Sequence, residues 1–319
     1  MSSLPEHDPL DPQGFTSRAQ EPALPIAAED SASTEPRPLF ESWSLPELVP
    51  TTRIPHLGHL CLLAVLALFG WIGTSLLTLS ALHFHLYGVS TIEQANSEIH
   101  YTLGSQAILY LLAFAACLLL FPLIWSKGFF AGLQWNGATA LRLRWRLFQA
   151  AFLCFVLAIL DGLLFRDNAD APIDKIFRTP GAAWLLFVFG ITLAPLCEEI
   201  VFRGFLLPGL CTAWDWAIEQ RTGKPAPPLG ANGHPQWSIF AMIAGSVLTS
   251  IPFALMHGKQ TGFALGPFLL LVCVSLVLCW ARLGTRSLAA STVVHACYNF
   301  LIFFFMLIGT GGFRHLDKM

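Results

Sequence analysis

The sequence predicts an all-α fold: a polytopic transmembrane bundle of about seven or eight spans with a buried polar cavity. Three observations carry this reading. Of 319 residues, 55% are hydrophobic and only 12% are charged, with a mean hydropathy of +0.60; a soluble domain carries about 25% charged residues. Apolar runs follow one another near 59–86, 103–125, 147–165, 184–210, 238–257, 265–281 and 288–310, and a span needs about 20 residues. The run 184–210 nevertheless holds Glu198, Glu199 and Arg203, and ionised groups stay at bilayer depth only with a partner or a function.

The first 55 residues stand apart. They hold ten of the 21 prolines, and nine acids against three arginines. Such a stretch buries too little apolar surface to offset its chain entropy. A disordered Pro-rich tail is expected over 1–55 and a transmembrane domain over 56–312. No basic segment with a short apolar core and cleavage site precedes the first run, so that span reads as an uncleaved anchor. His83, His85 and His100, at the end of the first span and in the loop after it, read as interfacial or solvated. Gln106 and Asp161 read as polar packing within spans. Leu141–Arg146 has the look of an interfacial stretch with arginines toward headgroups. Pro195, Gly245 and Pro252 lie inside spans, where membrane helices tolerate them. The loop 211–237 is rich in Pro and Gly and long enough to cover a site or to be slack.

Lysine and arginine favour alternate loops by twelve to six, or eleven to six without Arg203. This bias places the N-terminus in the cytoplasm, and the expected location is the plasma (inner) membrane. No basic stripe suggests a nucleic-acid partner. The absence of a convincing internal repeat weakens a transporter reading. The eight cysteines show no CxxC spacing, and those in the spans read as small buried hydrophobes.

Glu199 and Arg203 are four residues apart and share a helix face. Glu198 sits about 100° round that helix, where the arginine serves it less well. Its partners must come from other helices. His257 closes the fifth run, one turn after Phe253. His295 and Asn299 are four apart and face the same way. Singly, a histidine at a helix end is ordinarily interfacial. A His and an Asn on one face are ordinarily a helix–helix hydrogen bond, worth about 0.6 kcal/mol on average. One conflict is visible: an antiparallel count sets Glu198 and Asn299 near mid-depth but His257 near the outer end of its span. Their meeting requires a fifth helix that is tilted, short or broken, and Pro252 and Gly258 offer places for a kink.

In chain order the motifs read EExxxR (Glu198 to Arg203), FxxxH (Phe253 to His257) and HxxxN (His295 to Asn299). The set resembles the CPBP family of intramembrane endopeptidases, which includes CaaX prenyl endopeptidases and bacteriocin-processing or immunity proteins. The resemblance covers roughly residues 183–310. It implies that Glu198 activates a water, that His257 helps hold it, and that His295 and Asn299 stabilise the oxyanion. Glu199, Arg203 and Phe253 take supporting roles. It implies no cofactor, and a peptide or membrane-protein substrate met among membrane lipids, prenylated in the CaaX branch. Zinc held by Glu198, His257 and His295 is the alternative, although the HExxH spacing that would favour it is absent. A non-catalytic immunity or scaffold protein and a transporter built on the same polar cluster are the rival readings. Deleting the Pro-rich tail is expected to leave membrane insertion and the thermal unfolding midpoint of the bundle unchanged, measured in detergent beside the full chain.

Overall fold

The computed structural model describes residues 53–165, 181–230 and 233–313. The tail expected from the sequence lies outside them except for its last three residues. Of these, Arg53 donates to the carbonyls of Pro227 and Gln236, so the helical unit reaches back at least to Arg53 and a tail deletion should stop short of it.

Among the described residues the regular elements are helical, and seven helices are long and apolar enough to cross a membrane: α1 Leu57–His83, α2 Ile99–Trp125, α3 Arg144–Leu164, α4 Ala182–Thr222, α5 Ile239–Met256, α6 Leu265–Thr285 and α7 Leu288–Gly309. Each overlies one of the apolar runs. Short helical turns at Ile92–Ser97, Phe129–Gly132 and Gly137–Arg142 fill the connections on either side of α2. His83, His85 and His100 are exposed, and Tyr87 stacks on the His100 ring at 4.5 Å.

α4 is the irregular member, and its prolines explain why. Proline has no N–H, and its ring crowds the carbonyl four residues earlier. For Pro195 that carbonyl belongs to Ile191, where the first helical piece, Ala182–Ile191, ends. Thr192 then adopts φ −122°, ψ −86° before the helix resumes at Leu193–Glu199. A π-helical stretch follows over Ile200–Leu206, closed by Leu207 donating to the Phe202 carbonyl. The next donor in that pattern would be Pro208, which has none to give. The Arg203 carbonyl instead accepts from Arg282 Nε on α6 at 3.2 Å. After Pro208 the helix runs regularly to Thr222. Gly223 ends it at φ 68°, a left-handed cap that glycine adopts without a Cβ penalty.

The fourth helix therefore extends well into the segment read from sequence as the loop 211–237. The remaining connection folds back along the end of α4: Trp237 Nε1 donates to Thr212 Oγ1 at 3.0 Å, and the Ser238 amide and hydroxyl donate to Asp215 at 3.0 and 2.6 Å. These contacts lie toward the C-terminal end of α4, away from Glu198.

This extension resolves the depth conflict. α4 and α5 form a long antiparallel pair in which Cys211 lies beside Ala241 and Gly245, Phe202 meets Phe253, and Glu198 meets His257. α5 is continuous through Pro252 and, at 18 residues, is the shortest of the seven. Of the three ways open to it, the break at Pro252 does not occur and the shortness does. The register along the longer α4 then carries His257 to the level of Glu198.

α6 packs on α5, α3 and α7, and α7 also contacts the first two pieces of α4. The α1–α2 hairpin closes the other side, where Phe121, Trp125, Phe129 and Phe205 form a ring cluster with centroids 4.7–6.4 Å apart. Many leucines, isoleucines and phenylalanines on the outward faces are exposed, as expected of helices solvated by lipid.

The α4–α5 register depends on a close approach at Gly245, where an added Cβ would lie 2.6 Å from Cys211 Sγ. Gly245→Ala is expected to cost about 1–3 kcal/mol as overpacking. Adding Cys211→Ala, which removes the obstructing sulfur, should restore most of that loss, read as a coupling energy from thermal unfolding of the two single variants and the double variant. Strict additivity would show that Gly245 does not set the approach.

Candidate active site

The π-helical piece and the segment before it carry the charged motif. Arg203 Nη1 donates to Glu199 Oε1 at 2.9 Å, and both side chains are fully buried. Arg203 Nη2 donates to the Ser275 carbonyl at 3.1 Å and to its hydroxyl at 2.7 Å. The guanidinium carbon lies 4.5 Å from the centroid of the Phe253 ring, a cation–π contact that gains strength away from water. The intrahelical pair read from the i,i+4 spacing is present, and α5 and α6 each add a contact to it.

Phe253 is the hub of the site. Its ring, 1% exposed, lies 5.2 Å from Phe202, 5.0 Å from His257 and 5.9 Å from His295. It forms an apolar floor beneath both imidazoles and one face of the arginine pocket.

His257 caps α5. Its Nδ1 lies 3.0 Å from the Phe253 carbonyl, which can only accept, so Nδ1 carries the proton. Nε2, the other ring nitrogen, lies 3.8 Å from Glu198 Oε2. His295, on α7, repeats the pattern: Nδ1 is 3.0 Å from Glu199 Oε1, and Nε2 is 3.8 Å from the same Glu198 oxygen. Both histidines are anchored through Nδ1 and aim Nε2 at one carboxylate oxygen. The 3.8 Å gaps exceed a direct hydrogen bond but suit one water lying about 2.7–3.2 Å from each group.

Asn299, also on α7, bonds to the backbone, where the two histidines face glutamates. Its Nδ2 donates to the Gly190 carbonyl at 2.7 Å, in the last turn before the Thr192 break, where carbonyls lack intrahelical donors. One N–H of its amide is thus committed to holding α7 against α4, and an asparagine amide has a second.

Glu198 lies at the edge of a cavity of about 230 Å³, lined mainly by apolar side chains such as Leu63, Phe114, Val201 and Met256. Tyr110, on α2, is its other polar member, and Gln106 Nε2 donates to the Tyr110 hydroxyl at 3.0 Å. The sequence offered no reason to single out Tyr110, since an aromatic residue within a span looks like packing. Arg282 was likewise counted among the loop charges. It is 2% exposed and braces the π-turn through the Arg203 carbonyl and, by Nη2, the Leu133 carbonyl at 3.4 Å. The signal that demanded such a donor was Pro208.

Among the described residues, no group of three or more His, Cys, Asp or Glu side chains is placed to hold a metal ion. Tetrahedral zinc with bonds of 2.0–2.1 Å sets neighbouring donors roughly 3.3 Å apart. The Nε2–Oε2 separations within the zinc set weighed from the sequence, Glu198 with His257 and His295, are 3.8 Å.

Residues 180–301 match the family model described as type II CAAX prenyl endopeptidase Rce1-like. Over this region the chain is similar to the Rce1-like endopeptidases. The matched span contains all three motifs, and it supports an intramembrane endopeptidase acting on a peptide substrate among membrane lipids. No curated protein and no solved structure matches the chain.

Arg203→Ala should lower the yield of folded protein and its stability by about 3–5 kcal/mol, because it strands a buried carboxylate. Thermal unfolding and size-exclusion profiles in detergent check this. A variant as stable as wild type but inactive would place Arg203 in the chemistry instead.

Proposed function

We propose that this protein cleaves a peptide bond at or within the membrane, using a water activated by Glu198. The observation that carries the reading is the convergence of His257 Nε2 and His295 Nε2, each 3.8 Å from one oxygen of Glu198. With Nδ1 protonated against the Phe253 carbonyl, a neutral His257 presents Nε2 as an acceptor. A water between them donates one hydrogen bond to Glu198 and one to His257, leaving a lone pair for the substrate carbonyl. Glu198 takes the proton as the hydroxyl adds, and can pass it to the departing amine.

The oxyanion needs donors. His295 Nδ1 is engaged with Glu199, so its Nε2 donates only when the ring is an imidazolium, a charge that Glu198 and Glu199 flank. The second N–H of Asn299 is the other proposed donor, oriented by the bond from the first to the Gly190 carbonyl. Glu199 and Arg203 act as positioning residues. The apolar cavity beside Glu198 suits an apolar or lipidated substrate, and the Rce1-like match favours CaaX-type processing over the bacteriocin-related processing that the family resemblance also allows. The Lys/Arg bias still places the N-terminus in the cytoplasm once the buried Arg282 is left out of the count beside Arg203.

Glu198→Gln keeps size and shape and removes the base. It is expected to reduce cleavage by about 10²–10⁴-fold while leaving the thermal midpoint unchanged. The assay is cleavage of quenched fluorescent peptides in detergent, with and without a prenylated cysteine, in the presence and absence of a strong chelator. Wild type should stay active with chelator and prefer the prenylated peptide. Loss with chelator and recovery on adding zinc would move the assignment to a metalloprotease. A Gln variant as active as wild type would remove Glu198 from the role of base.

A further inference from the structure

A second cavity, of about 620 Å³, opens between α5 and α6 at the end of the bundle remote from His257. Its deep wall holds Arg282 and its rim Arg286, and among the described residues no aspartate or glutamate lines it. Both cations are unpaired by acids: among the described residues, neither makes a salt bridge. The bonds that Arg282 does make go to backbone carbonyls, which orient the guanidinium without neutralising it. The field extends beyond the two arginines. His234, in the neighbouring loop, is held below the ordinary histidine value by burial and then by the charges of Lys127, Arg282 and Arg286.

The outward side of the same cavity is of a different character. Ile239, Ile243, Val247 and Trp280 line it and are exposed, forming an apolar strip along two membrane-spanning helices. The polar, positive end meets Trp237 and Gln134 in the connecting segments. A buried positive charge without a carboxylate is costly, and a cavity with cations at its head and an apolar strip below has the form of a lipid seat. By the Lys/Arg bias this end faces the cytoplasm, the leaflet that carries anionic lipid.

We propose that this cavity binds a phosphate-bearing anion, with Arg282 and Arg286 as its ligands, and that the apolar strip makes the phosphate that of an anionic phospholipid. Binding here bears directly on the motif helix, because Arg282 also holds the carbonyl that Pro208 leaves free at the π-turn. The inference stands apart from the peptidase reading, and its readout does not require activity.

The test is the thermal unfolding midpoint of the purified full chain in a neutral detergent with added phosphatidylglycerol, phosphatidylcholine or inorganic phosphate. Phosphatidylglycerol in excess is expected to raise the midpoint by about 5 °C, with phosphatidylcholine giving little or no shift. Arg286→Asn is the informative variant. Arg286 is exposed and sits at φ 51°, a left-handed position that asparagine tolerates, so the fold should be unaffected while at least half of the lipid-induced shift is lost. Arg142→Asn, which removes an exposed arginine elsewhere, should keep the full shift. If inorganic phosphate alone reproduces the effect and Arg286→Asn abolishes it, the anion site stands and its occupant is soluble phosphate rather than lipid. Equal stabilisation by phosphatidylcholine, a full shift in Arg286→Asn, or an equal loss in Arg142→Asn would each overturn the proposal.

Discussion

Everything around the site answers to one constraint: a carboxylate and a guanidinium, Glu199 and Arg203, both fully buried in a span. Removing two ions from water costs several kcal/mol each, and their attraction offsets this only with good geometry and further hydrogen bonds. The pair is joined by a single bond, which leaves Glu199 Oε2 and Arg203 Nε without partners among the described residues. Other helices supply the compensation: Ser275 from α6, the Phe253 ring from α5 and His295 from α7. An ion pair this demanding fixes where three other helices must stand, and two of them, α5 and α7, bear the remaining motif residues.

Backbone defects make the arrangement possible. A regular α4 would have no free carbonyls to offer. Pro195 and Pro208 flank the charged motif, and near each a carbonyl is left for a side chain from elsewhere, Gly190 for Asn299 and Arg203 for Arg282. In lipid no water can take these groups, so an unpaired carbonyl there is expensive. The two breaks therefore bind α7 and α6 to α4 at points on either side of Glu198. π-turns recur at functional sites in other helices, and here the physical reason is visible in the proline that follows.

Much of this was legible in the sequence, and what was not has specific causes. The spans were legible because lipid demands long apolar runs. The Glu199–Arg203 pair followed from helical spacing alone. The end of α4 was misplaced because hydropathy falls after Leu210 while helix formation continues through Trp214, Trp216 and Ala217 to Thr222; composition marks where apolar character ends, which is not where the helix ends. That error produced the apparent depth conflict at His257. Arg282 was taken for a loop charge because it falls in the last turn of its span, and spacing cannot say that its side chain turns inward. Pro208 was in plain view, but the orphan carbonyl it creates emerges only when the preceding turn is known to be π rather than α.

The spacing of the polar cluster itself bears on hydrolysis against a purely structural role. Buried polar groups in a structural cluster satisfy one another directly. Glu199 does so through Oε1, with bonds of 2.9 and 3.0 Å to Arg203 and His295. Glu198, its neighbour in sequence, makes no direct hydrogen bond among the described residues, and two imidazole nitrogens stop 3.8 Å short of it. Both rings are pinned from behind and cannot close the gap without breaking their Nδ1 contacts. A scaffold protein gains nothing from a carboxylate held out of reach of its neighbours in an apolar surround. A hydrolase needs such a separation, because a water has to fit between the base and the groups that orient it.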